Sequence, residues 1–376
     1  MIYFDNAATC GTKPKAVTDV IKKTATSLGV NVGRGNYKSA LKCEKIVYEC
    51  RKFLSETFNN GRIDRLIFTS NCTHALNQMI FGCKITGTEI VTSVTEHNSV
   101  LRPLYRISDV YGMNLRFVTP DEHGVIIAKK LLNFVNEKTA FIVLNAVSNV
   151  TGCENEFEKI GKALNGYRPF FVDGAQFGGH EKTDMRKCNI SAMAFAGHKG
   201  FFALQGVGAL ALNENFDLSP VLFGGSGTET FAKEPSCYPE KLEAGTINFP
   251  AIESLLYGAK FAYDNLNEHT VTLKSLSKRL IDGLLTFKNV KIYSDANKYG
   301  IVSFEVKGVS SQALGNVLGN KFDIAVRGGY HCAPLIHSYF NTEENGLVRV
   351  SFSPFNTVSE VDEFLNVLPY AVSLCL

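Results

Sequence analysis

Several signatures are missing from this chain, and each absence removes a class of function. Charge of one sign is not in excess: 39 basic and 36 acidic residues, mixed along 376 positions, leave a formal net charge of +3. That balance offers no footprint for nucleic acid or a membrane surface. No uninterrupted apolar run approaches the roughly 18 residues that a membrane helix requires. The stretch from Met1 to Thr9 lacks the charged segment and apolar core of an export signal, so a cytoplasmic location is expected. None of the ten cysteines stands in a Cys-x-x-Cys pair or at zinc-like spacing to histidine. They read as reduced thiols, most of them packing as small hydrophobes, and no metal is expected. No G-x-G-x-x-G follows the first strand, and the glycine-rich run from Phe223 to Gly227 comes too late in the sheet to cradle a dinucleotide. Internal repeats, low-complexity segments and a disordered linker are absent as well.

What is present is an ordinary globular composition, 45% hydrophobic and 20% charged, long enough for a large core and two domains. From about residue 64, short β-rich apolar runs alternate with helical patterns, which predicts an α/β unit with a mostly parallel sheet. The strands expected are Arg65 to Thr69, Glu89 to Val94, Leu115 to Val118, Ala140 to Leu144, Phe170 to Asp173, Ala192 to Ala196 and Gly208 to Leu212. Thr73 to Phe81 and Glu156 to Leu164 read as crossover helices. Near residue 251 the rhythm changes to two long helical stretches, Ala251 to Leu266 and Val271 to Leu285. A smaller α+β unit follows, with strands at Val290 to Tyr293, Ile301 to Val306, Ile324 to Val326 and Leu347 to Phe352, and helices at Ser311 to Leu318 and from Val358 onward. Thr357 and Glu360 have capping-box spacing at the start of the last helix.

Chemistry gathers at the ends of the predicted strands, where open α/β sheets bind ligands. Phe171-Val172-Asp173-Gly174-Ala175-Gln176 ends one buried run with an acid, and Ala194-Phe195-Ala196-Gly197-His198-Lys199-Gly200 ends the next with a lysine. An amine to form a Schiff base and a carboxylate to keep a pyridine nitrogen protonated are the minimum apparatus for pyridoxal phosphate. Small polar residues from Thr69 to Thr73 precede a helix, where free N–H groups and the helix dipole make an anion site. His97 and Asn149 follow two further strands to the same sheet edge. An imidazole there can stack on a ring and move protons. Taken singly, each piece has a plainer account: a Thr/Ser helix cap, an Asp-Gly turn, a bystander histidine.

The ordered set, from Phe4-Asp5-Asn6-Ala7-Ala8-Thr9 to Val348-Arg349-Val350-Ser351 and Asn356-Thr357, resembles the fold-type I, class V aminotransferase group, and within it the cysteine desulfurases and selenocysteine lyases. The resemblance implies a large domain over residues 15–255, with a mostly parallel seven-stranded sheet flanked by helices, and a smaller α+β domain built from residues 1–14 and 256–376. It implies pyridoxal 5'-phosphate as cofactor, with Lys199 as the Schiff-base lysine, Asp173 as partner of the pyridine nitrogen, Gln176 as contact to the ring hydroxyl and His97 as the stacking imidazole. Cys72, Thr73 and His198 fall where the family grips the phosphate. Asn149, which also counts among the cofactor contacts, falls with Arg349 and Arg327 where the family holds the substrate, Arg349 as a bidentate carboxylate clamp.

Arg327-Gly328-Gly329-Tyr330-His331-Cys332-Ala333-Pro334 is similar to the segment that carries the family's sulfur-accepting cysteine, which makes Cys332 the candidate nucleophile, with Arg327 and His331 as neighbours able to tune it. Leu242-Glu243-Ala244-Gly245-Thr246 is similar to a loop whose threonine reaches the cofactor phosphate of a neighbouring subunit, so Thr246 implies a homodimer. Three positions depart from the pattern. Ala196 lacks the hydroxyl of the family's usual serine, Tyr330 replaces a histidine, and Ala146 stands where histidine often precedes Ser-Asn. Gly33-Arg34-Gly35 matches the family's substrate-side segment only in part. The implied activity is conversion of L-cysteine to L-alanine with a persulfide left on Cys332, and a sulfur-acceptor protein as a possible partner. A selenocysteine lyase acting on L-selenocysteine, another class V lyase or aminotransferase, and a non-catalytic sulfur-relay scaffold are the alternatives.

Overall fold

The computed structural model describes residues 1–26, 30–32 and 35–376, so Gly33 and Arg34 of the partly matching segment lie outside the described residues. A two-residue strand, β1 (Ile2–Tyr3), precedes the strands of the main sheet: β2 (Leu66–Thr69), β3 (Glu89–Ser93), β4 (Asn114–Val118), β5 (Thr139–Asn145), β6 (Phe170–Asp173), β7 (Ala192–Ala196) and β8 (Gly208–Leu212). Their order across the sheet is β2-β8-β7-β6-β5-β3-β4, with β8 antiparallel to both neighbours and the other pairs parallel. Every residue of β5 is buried, which is why its sequence is apolar without alternation: helices cover both faces. Alternate side chains still divide between two cores. Ile142 and Leu144 join one with the helices Lys38–Phe58 and Phe249–Asp264. Phe141 and Val143 join the other with the helices Cys72–Gly82 and Asn98–Tyr111.

A second antiparallel sheet holds β9 (Val290–Ile292), β10 (Ile301–Val306), β12 (Arg327–Gly329) and β13 (Leu347–Ser351) in the order β12-β13-β10-β9. Strand β11 (Ile324–Ala325) pairs instead with β1, in parallel. This sheet has its own core against the helices Leu266–Leu284, Ser311–Phe322 and Val358–Ser373, and the N-terminal segment adds Phe4 to it, edge-on to Phe352 and Phe364. Both halves of the capping box at Thr357 form: Glu360 N–H donates to Thr357 Oγ1 at 3.3 Å and Thr357 N–H to Glu360 Oε2 at 2.7 Å.

Strands β6, β7, β8 and β10 have the limits read from sequence, and the other predicted strands shift by a residue or so. The strand expected at Ile324 to Val326 is shorter, because Arg327–Gly329 leaves it to pair with β13. The helices Lys15–Thr26, Lys38–Phe58, Asn98–Tyr111 and Pro334–Phe340 were not anticipated. Two consequences of the fold matter for function. The parallel strands deliver their C-terminal loops to one edge, and the β12–β13 register sets Arg327 opposite Arg349.

Candidate active site

At that edge lies a cavity of about 220 Å³. Its walls are Cys72 and Thr73 from the start of helix Cys72–Gly82, His97 after β3, Asn145 and Asn149 after β5, Asp173 and Gln176 after β6, and His198 and Lys199 after β7. Arg327, His331 and Arg349 close it from the smaller sheet. Of the residues given catalytic, cofactor or substrate roles from sequence, Cys332 and Thr246 lie elsewhere.

Asp173 and Lys199 form the charged centre. Asp173 Oδ1 accepts the Ala175 N–H at 2.9 Å and the Cys72 thiol at 3.8 Å. Burial pushes this carboxyl up from its ordinary range, against the pull of the Ala175 N–H and of Lys199. Burial pushes Lys199 the other way; Asp173 opposes the shift and Arg349 and Arg327 add to it. A lowered lysine is more readily a free amine, the form that attacks a carbonyl or takes a proton.

His97 caps the helix that follows it. Its Nδ1 accepts the Ser99 N–H at 3.0 Å and lies 2.7 Å from Ser99 Oγ, so the neutral ring carries its proton on Nε2. Burial, with the charges of Lys199 and Arg327, lowers its pKa to about 4. The ring is therefore a neutral, flat group at physiological pH.

Residues around the cavity hold polar atoms that the protein leaves without partners. Asn149 Oδ1, His198 Nδ1, His331 Nδ1 and Arg349 Nε are buried and make no hydrogen bond. Buried polar groups are nearly always satisfied, so four such atoms on lining residues from both sheets fit a polar ligand. Asn71 caps only the His74 N–H, at 2.8 Å, leaving the earlier amides of that helix for an anion. Gln176 is fixed by donating from Nε2 to Ala7 O at 2.9 Å. Ala196 is buried at the cavity wall and supplies no hydroxyl. A planar, phosphate-bearing, aldehyde cofactor fits this donor set: anion site, acid and amine are all present.

Arg349 is 1% exposed. Its Nη2 donates to Asp5 Oδ1 at 2.9 Å and its Nη1 to Asn149 O at 3.0 Å. Asn149 Nδ2 in turn donates to His331 O at 2.8 Å. The guanidinium expected to be a bare carboxylate clamp is thus pre-oriented by two protein acceptors, with Nε still unpartnered.

Cys332 is exposed and lines an adjoining groove that shares Thr73, His97 and Ser99 with the cavity. Its Sγ lies 3.8 Å from Arg327 Nη2, and its carbonyl accepts the Asn98 N–H at 2.6 Å. His331 and Cys332 both have left-handed backbones, φ +50° and +57°, a costly pair for non-glycine residues. Of the two neighbours named for tuning the thiol, Arg327 touches it; the buried His331 ring faces Leu347 O at 3.1 Å. Thr246 is exposed in a separate groove beside Ser70 and His74. Its loop is pinned by Glu243, which pairs with Arg51 at 2.7 and 3.0 Å and accepts the Phe68 N–H at 2.6 Å.

Asp5, Glu96 and Asn145 belong to the site but were not read from the sequence as functional. Glu96 precedes His97 and is fully buried; its Oε1 accepts from Ser93 Oγ at 2.6 Å and Asn145 N–H at 3.1 Å, and its Oε2 has no partner. Adjacency to His97 was the one signal for it.

Comparison with known proteins agrees with this geometry. Residues 2–364 match the family described as Aminotransferase class-V. A probable cysteine desulfurase of Pyrococcus abyssi is 33% identical over 389 residues, covering 98% of this chain and 93% of that protein. A probable cysteine desulfurase of Methanothermobacter thermautotrophicus is 29% identical, covering 96% and 92% of the two chains. The apo structure of a cysteine desulfurase from Thermococcus onnurineus superposes with a TM-score of 0.89 at 30% identity, covering 99% and 94%. The S-sulfonic acid form of an Escherichia coli cysteine desulfurase gives 0.88 at 25% identity, covering 100% and 95%. The chain belongs to the class-V aminotransferase family of pyridoxal-phosphate-dependent enzymes.

Proposed function

We propose that this protein is a cysteine desulfurase, which converts L-cysteine to L-alanine and takes the sulfur as a persulfide on Cys332. The observation that carries this reading is the juxtaposition of the Lys199–Asp173 pair in one cavity with an exposed thiol, 3.8 Å from Arg327, in the adjoining groove.

When bound, pyridoxal phosphate supplies an electron sink for charge developing at the substrate α-carbon. Lys199 holds the cofactor and, as an amine of lowered pKa, takes the α-proton. Asp173 would face the pyridine nitrogen, Gln176 the ring hydroxyl, and the flat neutral His97 one face of the ring. Thr73, His198 and the first turn of helix Cys72–Gly82 would hold the phosphate. Arg349, oriented by Asp5 and Asn149, holds the substrate carboxylate together with Asn149, and Arg327 lies opposite it on β12. His97 Nε2 carries the proton of the neutral ring and is the atom that donates it into the site, so it takes up the substrate thiol's proton only once that one has been given away. The Cys332 thiolate attacks the substrate sulfur; the S–S bond forms as the Cβ–S bond breaks, and the carbon keeps the electron pair and is protonated. Cysteine plus thiol gives alanine plus persulfide without an external oxidant.

The same reading makes the working unit a homodimer in which Thr246 serves the neighbouring subunit's phosphate, since within its own chain it lies outside the cavity. It divides the chain into residues 15–255 and residues 1–14 with 256–376, and leaves the sulfur to an acceptor that approaches the Cys332 groove.

The position of Cys332 outside the cavity favours one second reading, a selenocysteine lyase that does not need the thiol. Comparison of kcat/KM for L-cysteine and L-selenocysteine in wild type and Cys332→Ser separates the two. On the first reading, Lys199→Ala abolishes alanine formation, whereas Cys332→Ser keeps the yellow cofactor band and loses desulfuration. Full desulfuration of L-cysteine by the serine variant overturns the nucleophile assignment, and a colourless protein that takes up no pyridoxal phosphate overturns the whole reading.

A further inference from the structure

Cys72 begins a helix at the anion site, yet its thiol is directed elsewhere. It is buried against Asp173, 3.8 Å from Oδ1, and the Ala175 N–H meets the same oxygen at 2.9 Å. Two donors from different elements, one from the start of a helix and one from the loop after β6, therefore converge on Oδ1. Asp173 Oδ2 has no hydrogen-bond partner among the described residues. A carboxylate held at one oxygen by two donors cannot rotate freely, so the other oxygen has a defined direction in the cavity that Asp173 lines.

The donor is suited to this task because it is weak and permanent. Burial, and then the charge of Asp173, push the Cys72 thiol well above its ordinary range, so it stays protonated and never competes as a second anion. A thiol also donates more weakly than a hydroxyl, and so orients the carboxylate without taking much of its charge.

We propose that Cys72 is a positioning residue for Asp173: its S–H and the Ala175 N–H jointly occupy Oδ1 and leave Oδ2 for the pyridine nitrogen of the cofactor. The proposal rests on the reading of Asp173 as the partner of that nitrogen. It places Cys72 in the cofactor site by a different contact from the phosphate grip implied by its sequence position, and it excludes the thiol from the sulfur chemistry.

The test uses the full-length protein and two readouts independent of turnover: the dissociation constant for pyridoxal phosphate and the pH dependence of the bound cofactor's visible absorbance. Cys72→Ala is expected to raise the dissociation constant about three- to tenfold, as loss of one hydrogen bond from a weak donor implies, and to shift the absorbance titration. Cys72→Ser, which keeps a donor, restores both within about twofold, whereas Cys72→Val, which fills the space without donating, does not. Rescue by valine and not by serine shows packing alone and overturns the proposal, as does an alanine variant indistinguishable from wild type. Asp173→Asn separates the two levels. If it changes both readouts while Cys72→Ala changes neither, only the role of Cys72 falls; if Asp173→Asn changes neither, the reading of Asp173 falls and the proposal with it. Thermal unfolding of each apoprotein identifies a variant whose loss of binding is loss of fold.

Discussion

Glu96 is a carboxyl group buried without a counter-charge: Ser93 and Asn145 donate to one oxygen, and the other has no partner. Burial pushes its pKa up to about 8, and the nearby Asp173 adds to the shift. The folded state therefore keeps a proton that the unfolded chain releases near its ordinary value of about 4.3. Such a group contributes stability that is complete at low pH and is lost as pH rises toward 8. His97 and His198, lowered to about 4, act with the opposite sign, but their contribution is complete once pH passes their unfolded value near 6.5. We expect Glu96→Gln, which keeps the acceptor and replaces the acidic O–H by N–H, to raise the melting temperature by a few degrees at pH 8 and to leave it nearly unchanged at pH 4, below the unfolded value. Calorimetry of both apoproteins across that range measures the difference; parallel curves would show that Glu96 does not titrate in this window. The same residue marks the limit of reading single positions. Lys199 and Asp173 were legible because the chemistry requires an amine and an acid at neighbouring strand ends. The pairing of Arg349 with Asp5, 344 positions apart, and the aim of Cys72 at Asp173 depend on which side chains the fold brings into contact.

At the scale of elements, buried parallel strands were the most legible feature, since both faces are covered and the apolar run itself marks the strand. Helices that carry loops of the site were less so. Asn98–Tyr111 contains Pro103, which reads as a break, and Lys38–Phe58 is rich in charge along its exposed face. The helix Phe249–Asp264 was legible, and its glycine shows what it does for the site. A Cβ at Gly258 would lie 2.0 Å from Phe201 O, and the adjoining Phe202 N–H donates to Lys199 O at 2.8 Å. The helix thus presses on the loop that holds the lysine. Gly258→Ala should cost about 1–3 kcal/mol or more by overpacking and should weaken cofactor binding as the loop shifts. Gly319, in helix Ser311–Phe322, has nothing within 4 Å of its would-be Cβ. Gly319→Ala should stabilise the protein by about 0.5–1 kcal/mol through helix propensity alone. Urea unfolding of the two variants distinguishes close approach from simple flexibility; equal effects would refute the packing account of Gly258.

At the scale of the molecule, the two sheets and their order of appearance were legible from the change in rhythm near residue 251, but the site that straddles them was legible only through the family resemblance. Arg327 and Arg349 reach the cavity from the smaller sheet through a register that no local pattern reports. On the proposed homodimer reading, the long connection between β8 and the helix Phe249–Asp264 acts beyond its own chain. It contains neither strand nor helix, and it exposes Leu222, Phe223 and Phe231, the last completely. Loops of that length are uncommon in compact domains unless they are functional, and clustered exposed aromatics mark contact surfaces. Near its end stands Glu243, whose ion pair with Arg51 anchors the approach to Thr246. A homodimer with shared sites turns this into a quantitative expectation. Lys199→Ala removes the amine of its own site, and Thr246→Ala removes the phosphate contact of its partner's site. In a mixed dimer, the subunit that keeps Lys199 receives Thr246 from the other, so one of the two sites is whole. Random reassortment of equal amounts makes half of the dimers mixed, and desulfuration should recover to about a quarter of the wild-type rate, above the sum of the separate variants. Native mass spectrometry of differently tagged subunits under the same conditions resolves the mixed dimer and confirms that the subunits have exchanged. Exchange without recovery would mean that Thr246 serves the site of its own chain, and the long connection would then have to fold back across the cavity mouth to bring it there.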